Sequence, residues 1–240
     1  MKTAVNWIGI GALWMAGALS AWAQDGPRGH WSGSVEVPDQ SLAMEVDLDK
    51  GPNGWIGSIS IPAQNATGIP LDAITFTNGK CVFHLKGAPG DPTFTGTLSA
   101  DGKTLAGDFT QGPGSFPFKF SRTGDPKVVE AKANPAVAKA FLGTWEGTLE
   151  GPGLRLVLKM SNDAVGAKAV IVSVDQGGTE IPVSAIDQKD SKLTLVVNMV
   201  GGRYEAAIDK EGSELNGTWT QGGNDIPLKL KKAAAQDKKP

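Results

Sequence analysis

The sequence predicts an all-β protein made of two tandem antiparallel up-and-down barrels, each of about eight short strands. Three observations lead to this prediction. Short segments alternate between apolar and polar residues, 32 glycines and 15 prolines among 240 residues mark frequent turns, and one pattern occurs twice along the chain. A β-sandwich is the alternative, because alternation does not show whether a sheet closes on itself.

The duplication is visible as matched blocks that keep the same order in both halves. Four blocks of the first half recur in the second: 29–33 as 143–147, 42–48 as 154–160, 64–74 as 176–186, and 105–112 as 215–222. The offset between the copies shrinks only from 114 to 110 residues. The chain therefore contains two copies of one module of roughly 90 residues.

Alternation and turn residues predict eight strands in the second copy. Leu154, Leu156 and Leu158 face one side of a strand while Arg155 and Lys159 face the other. The expected strands lie at 143–150, 154–161, 167–174, 182–187, 192–198, 203–209, 214–220 and 226–231. Because the links between them are short, the strands should form an antiparallel meander, and closure into a barrel would leave no free edge.

The N-terminal segment has the pattern of a signal peptide. Lys2 precedes an apolar run from Trp7 to Leu19, and Ala21-Trp22-Ala23 matches a cleavage site. We therefore expect a secreted or periplasmic protein, cleaved after Ala23, whose mature chain has no transmembrane segment. The expected parts are a signal peptide at 1–23, a first module at 24–122, a linker at 123–140, a second module at 141–231 and a disordered tail at 232–240.

The linker is expected to contain a helix of one or two turns. Asn134 suits the N-cap and Pro135 the first helical position, and the segment AVAKAF follows them. Phe141 would then pack against the second module.

The repeated motifs resemble those of known β-barrel families. The Gly-x-Trp opening at 29–31 and 143–145 is similar to the start of lipocalin-like and calycin-like barrels. The longer pattern at 143–147, 175–182 and 217–228 resembles the β-module that precedes the catalytic domain of secreted bacterial α/β-hydrolases of the esterase type. The resemblance implies an accessory or remnant module of such a hydrolase system, without the hydrolase domain.

The sequence lacks the residue patterns of several chemistries. There is no G-x-S-x-G nucleophile elbow, and His30 and His84 are the only two histidines. Cys81, the single cysteine, lies in an apolar strand pattern and is expected to be buried. No metal-ligand spacing and no nucleotide-binding loop is present, and a net charge of −2 does not favour nucleic acid. We therefore expect no catalysis, no metal, no cofactor and no nucleic-acid partner.

Three tryptophans are candidate ligand contacts. Trp31 and Trp145 open the two copies, and Trp219 lies near the end of the second, opposite Phe109 of the first. The favoured interpretation is that they fill the barrel ends, because small eight-stranded barrels are usually packed with side chains. The alternative is a platform on which a ligand stacks.

Polar residues beside glycine-rich turns are the second group of candidates. Gln64 recurs as Gln176, Gln111 recurs as Gln221, and Asp175 precedes Gln176. A glutamine at such a place can hold a turn through backbone hydrogen bonds. Alternatively, these groups form a polar rim that orients a small apolar ligand at the barrel mouth. The expected partner is such a ligand or another exported protein.

Overall fold

The computed structural model describes residues 26–85, 87–130 and 132–234. The predicted signal peptide and residues 235–240 of the predicted tail lie outside the described residues. Within the described part of the chain, no helix is both long and apolar enough to cross a membrane.

The first module is a closed antiparallel barrel of eight strands. The strands are β1 Gly29–Val37, β2 Gln40–Gly51, β3 Gly54–Ile61, β4 Ala66–Thr77, β5 Lys80–Leu85, β6 Thr93–Leu98, β7 Thr104–Gln111 and β8 Gly114–Gly124. Each strand pairs with its neighbours in the chain, and β1 also pairs with β8. The barrel prediction is confirmed for this module, and the sandwich alternative is wrong.

The second module has nine strands in the same order around a sheet. They are β9 Gly143–Leu149, β10 Leu154–Asn162, β11 Ala167–Ser173, β12 Thr179–Pro182, β13 Ala185–Lys189, β14 Lys192–Val197, β15 Gly202–Ile208, β16 Glu214–Gln221 and β17 Asn224–Lys232. Strand β9 pairs with β17, so the sheet curls as in the first module. Its edges are β12 and β13, which follow each other in the chain.

The extra strand comes from a break where one strand was predicted. The expected strand at 182–187 is two strands, because β12 ends at Pro182 and β13 begins at Ala185. In the first module the equivalent strand β4 continues through this place with a shift of register between Asp72 and Thr75. The second barrel is therefore open at a seam between β12 and β13.

Asn134 connects β13 to the start of β11 beside this seam, and the prediction that it caps a helix is wrong. Its side-chain oxygen accepts a hydrogen bond from the backbone N–H of Ile186 at 2.8 Å, and its backbone forms an isolated bridge with Ala167. Helical structure near this end of the linker is confined to the 3-10 turn Lys139–Phe141. Backbone groups of Ala167 and Ile186 at these strand ends need partners, and Asn134 supplies them instead of starting a helix. Phe141 is buried in the second core, as predicted.

Each module has its own apolar core. The first core contains the fully buried side chains of Trp31, Phe83 and Phe94. The second core contains those of Trp145 and Leu195, which are also fully buried. Cys81 is buried in the first core, as predicted. Burial raises the pKa of its thiol to about 12, because a thiolate there would lose its hydration.

Candidate functional site

One end of each barrel is sealed by a tryptophan. The indole N–H of Trp31 and that of Trp145 each donate to the carbonyl of the residue four positions earlier, at 2.9 Å in both modules. A cation covers each ring: the Arg122 guanidinium lies 4.7 Å from the centre of Trp31, and the Lys232 ammonium 4.8 Å from that of Trp145. The same construction therefore closes both copies.

The inner part of the first barrel is filled by aromatic rings. The ring centre of Phe94 lies 4.8 Å from that of Phe83, 5.2 Å from that of Phe118 and 5.9 Å from that of Phe120. None of these four side chains is more than 3% exposed. A ligand consequently has no room in the sealed half of this barrel.

The open mouth of the first barrel lies against the open mouth of the second, and a cavity of about 480 Å³ lies between them. We call this cavity the chamber. From the first module it is lined by Val37, Leu42, Met44, Ile61, Gln64, Ile69, Leu85, Ala88, Pro89, Pro92, Phe109, Gln111 and Phe116, and from the second by Gln176, Thr179, Ile181, Met199 and Val200.

A smaller cavity of about 230 Å³ continues into the mouth of the second barrel. Trp219 lines it together with apolar residues of β9, β10, β11 and β14. Gln176, Ile181 and Val200 line both cavities, so they lie at the boundary between them. The smaller cavity is lined by the second module alone, whereas the chamber, which is largely apolar, is lined by residues of both modules.

A 3-10 turn of the second module holds the mouths together. This turn, Asn198–Val200, lies against β4, and Met199 packs on the core of the first barrel. At Gly201, which follows the turn with a φ of +58°, an added Cβ would lie 2.6 Å from the carbonyl oxygen of Asn65. The close approach of backbone to backbone at this point requires glycine.

Three of the four candidate glutamines lie at the chamber. Gln64, Gln111 and Gln176 line it, and Gln221 lines the smaller cavity with Gln176. Gln111 donates to the carbonyl of Pro89 at 2.9 Å, and the Gln176 oxygen accepts from the Ser173 hydroxyl at 2.8 Å. Gln111 and Gln176 therefore stabilise turns and also line the chamber. A role in holding turns and a role in a polar rim are compatible for these residues.

Gln221 connects the mouth to the 3-10 turn. Its amide nitrogen donates to the carbonyl of Val200 at 2.8 Å, and its oxygen accepts from the indole N–H of Trp219 at 3.0 Å. Trp219 is 5% exposed and lines the smaller cavity. Among the three candidate tryptophans, it is the one placed to contact a molecule in the mouth.

The remaining candidates lie away from both cavities. Trp31 and Trp145 are the seals at the opposite ends of the barrels. Asp175 accepts three hydrogen bonds from Arg155, at 2.8, 2.9 and 2.6 Å, on the exposed surface. Hydrogen bonding to Arg155 lowers the pKa of Asp175, and this pair orders the turn before β12. These three residues line neither cavity.

The histidines make local contacts outside the chamber. His30 Nδ1 lies 2.8 Å from a carboxylate oxygen of Asp47, and His84 Nδ1 lies 3.0 Å from the Thr93 hydroxyl. Within the described ranges, no group of three or more His, Cys, Asp or Glu side chains is arranged to hold a metal ion.

Sequence reasoning missed Ile181, Met199 and Val200. Ile181 lies in the short strand β12, and Met199 and Val200 lie in the 3-10 turn Asn198–Val200. All three meet the first barrel only in the folded protein. The one available signal was the apolar pair Met199-Val200, which lies between two strands where a polar turn is usual.

Comparison with known proteins identifies no family. No protein-family model matches the chain, and no curated protein matches it. A solved structure that does match is a protein with unknown function from the DUF3598 family of Nostoc punctiforme. It is 14% identical, the match covers 91% of this chain and 100% of that chain, and the TM-score is 0.23. A TM-score this low supports no argument, so the barrel fold rests on the strand pairing described above.

Proposed function

We propose that this chain is an exported, non-catalytic binding protein that holds a small apolar molecule in the chamber between its two barrel mouths. The chamber itself is the observation that supports the proposal. Its volume of about 480 Å³ lies in the range of roughly 300–1,000 Å³ that is typical of small-molecule sites.

The lining has the composition of such a site. Side chains such as Met44, Phe116 and Ile181 supply apolar surface, and a few amides lie among them. Filling this space with an apolar molecule would remove apolar surface from water, which is favourable by about 25 cal/mol per Å². The packed inner half of the first barrel directs a ligand to the mouths.

A thermal-shift screen with a matched pair of variants tests the proposal. The panel holds lipids, acyl esters, fatty acids and small aromatics, and we expect at least one member to raise the melting temperature. A ligand at about 100 times its Kd stabilises by about 2.7 kcal/mol. Val200→Trp, which fills the boundary between the cavities, should abolish the shift, whereas Val165→Trp should keep it because Val165 is 70% exposed on the surface.

Two outcomes would contradict the proposal. If no member of the panel shifts the melting temperature, the chamber is not a ligand site, and a protein partner at the surface becomes the better hypothesis. If p-nitrophenyl esters are turned over in a parallel assay, the protein is not purely a binding protein. A role as an accessory or remnant of a secreted esterase remains a prediction of the sequence resemblance alone.

A further inference from the structure

The lining of the chamber is electrically neutral. None of the described residues that line it carries a charge, and its polar side chains are Gln64, Gln111, Gln176 and Thr179. The neighbouring smaller cavity has the same character, with Ser173, Gln176 and Gln221 as its polar lining. A charged group that entered either space would find no lining counter-ion.

This neutrality disfavours an anionic ligand such as a fatty acid. A carboxylate moved from water into an apolar site loses its hydration, and it is tolerated only when a cation or several donors replace the water. An ester, alcohol or ketone of the same length needs only one or two hydrogen bonds. The chamber offers hydrogen bonds of this kind.

Gln64, Gln111 and Gln176 are exposed at the rim, where the chamber meets solvent, and their unused amide groups can supply these bonds. The Gln64 side chain makes no hydrogen bond with any residue that the structure describes. Gln111 uses only its nitrogen, on Pro89, and Gln176 uses only its oxygen, on Ser173. The Gln111 oxygen is therefore available as an acceptor and the Gln176 nitrogen as a donor.

We infer that the molecule bound in the chamber is a neutral amphiphile, with an apolar chain or ring body and a single uncharged polar head held by the glutamine amides. This inference rests on the proposed function, because it names the ligand class of the same site. It predicts selectivity by charge and not by chain length alone.

Three probes of equal chain length test the selectivity: dodecanol, methyl dodecanoate and dodecanoate, each measured below the concentration at which it aggregates. At pH 8 we expect the ester and the alcohol to bind at least about tenfold more tightly than the acid. On lowering the pH to 5, the affinity for the acid should rise because a growing share of its carboxyl group is protonated. The affinities for the two neutral probes should not change.

A charge-changing variant supplies the second measurement. Gln64→Lys places a cation at the rim, so we expect the affinity for dodecanoate at pH 8 to rise about tenfold and that for dodecanol to stay within about twofold. Val165→Lys, with its cation at an exposed position away from the chamber, is the matched control and should change neither affinity.

The outcomes separate this inference from the proposed function. Equal or tighter binding of dodecanoate by the unmodified protein at pH 8 would overturn the neutral-ligand inference and leave the binding function standing. An unchanged affinity of Gln64→Lys for dodecanoate would show that the head group does not meet the amide rim, which also overturns it. Failure of all three probes and of the wider panel to bind would overturn both.

Discussion

Replacing Gly33 with alanine is expected to lower the free energy of unfolding of the first module by about 3 kcal/mol or more, the upper end of the cost of overpacking. Gly33 on β1 faces the neighbouring strand β8. A Cβ there would lie 2.0 Å from the carbonyl oxygen of Lys119 and 2.8 Å from the Cα of Phe120. Because both contacts are with backbone, no side-chain rotation can relieve them, and the pairing of β1 with β8 must give way.

Gly124→Ala is the matched control for this substitution. Gly124 ends β8 in the same barrel, and a Cβ there meets nothing within 4 Å at a backbone angle that alanine accepts. Its free energy of unfolding should stay within about 1 kcal/mol of the original value, because alanine also restricts the unfolded chain. Urea denaturation followed by circular dichroism measures both. Equal stability of the two variants would mean that β1 and β8 are not as close as described.

Truncating Trp145 to alanine is expected to cost about 3–5 kcal/mol, the usual loss when a buried tryptophan is removed. Trp145 is 0% exposed, its indole N–H is bonded to the Phe141 carbonyl, and the Lys232 ammonium covers its ring. The substitution therefore removes a large buried surface, one hydrogen bond and a cation contact together. Since whole domains are stable by only about 5–15 kcal/mol, the second module should melt well before the first.

Trp55→Ala is the control for the loss of a tryptophan in general. Trp55 is half-buried and packs edge-on against Phe76 with ring centres 6.2 Å apart. Its removal should cost clearly less than that of Trp145, because less apolar surface is lost. Thermal unfolding of the two variants makes the comparison, and an equal cost would show that Trp145 does not seal a packed barrel end.

Most of the fold could be predicted from the duplicated pattern. The repeated residues are required by local backbone geometry that both modules share. The second glycine of the Gly-x-Trp-x-Gly motif is Gly33 in one copy and Gly147 in the other, and added Cβ atoms would lie 2.0 and 2.1 Å from carbonyl oxygens of the paired strand. Gly107 and Gly217 are constrained in the same way, at 2.0 and 2.3 Å. Because paired strands approach equally closely in both copies, glycine is required at the same positions, and the repeat can be recognised in the sequence.

The open seam of the second barrel could not be predicted from the local sequence, because the contacts beside it involve a residue that is far away in the chain. Residues 182–187 read as one strand, and the equivalent segment of the first module does run on as one strand, β4. Beside the split, Asn134 accepts a hydrogen bond from the backbone N–H of Ile186, which lies 52 positions away in the sequence. Asn134 also has the local sequence of a helix cap, and tertiary hydrogen bonds override that local preference.

The chamber was only partly predictable. Gln64, Gln111 and Gln176 stood out because they recur beside turns, and all three lie at the rim. Trp31 and Trp145 are repeated just as clearly, but the reason is that each packs at the sealed end of its barrel, away from the chamber. The sequence marks Val200 only as an apolar residue between two strands, because it becomes part of the cavity lining only when the two mouths meet. Repetition in the sequence thus identifies residues that each module needs for its own fold. The chamber forms only where the two modules meet, so repetition does not identify all of its lining.

Diffraction from crystals of the protein held under xenon gas tests the central claim most directly. Dry apolar cavities bind xenon, and its anomalous scattering locates it without assumptions about the natural ligand. We predict a bound xenon atom between the two mouths, in contact with Met44, Phe116 and Val200. A chamber without xenon, filled instead by side chains or ordered water, would contradict the claim that the facing mouths form an apolar ligand site.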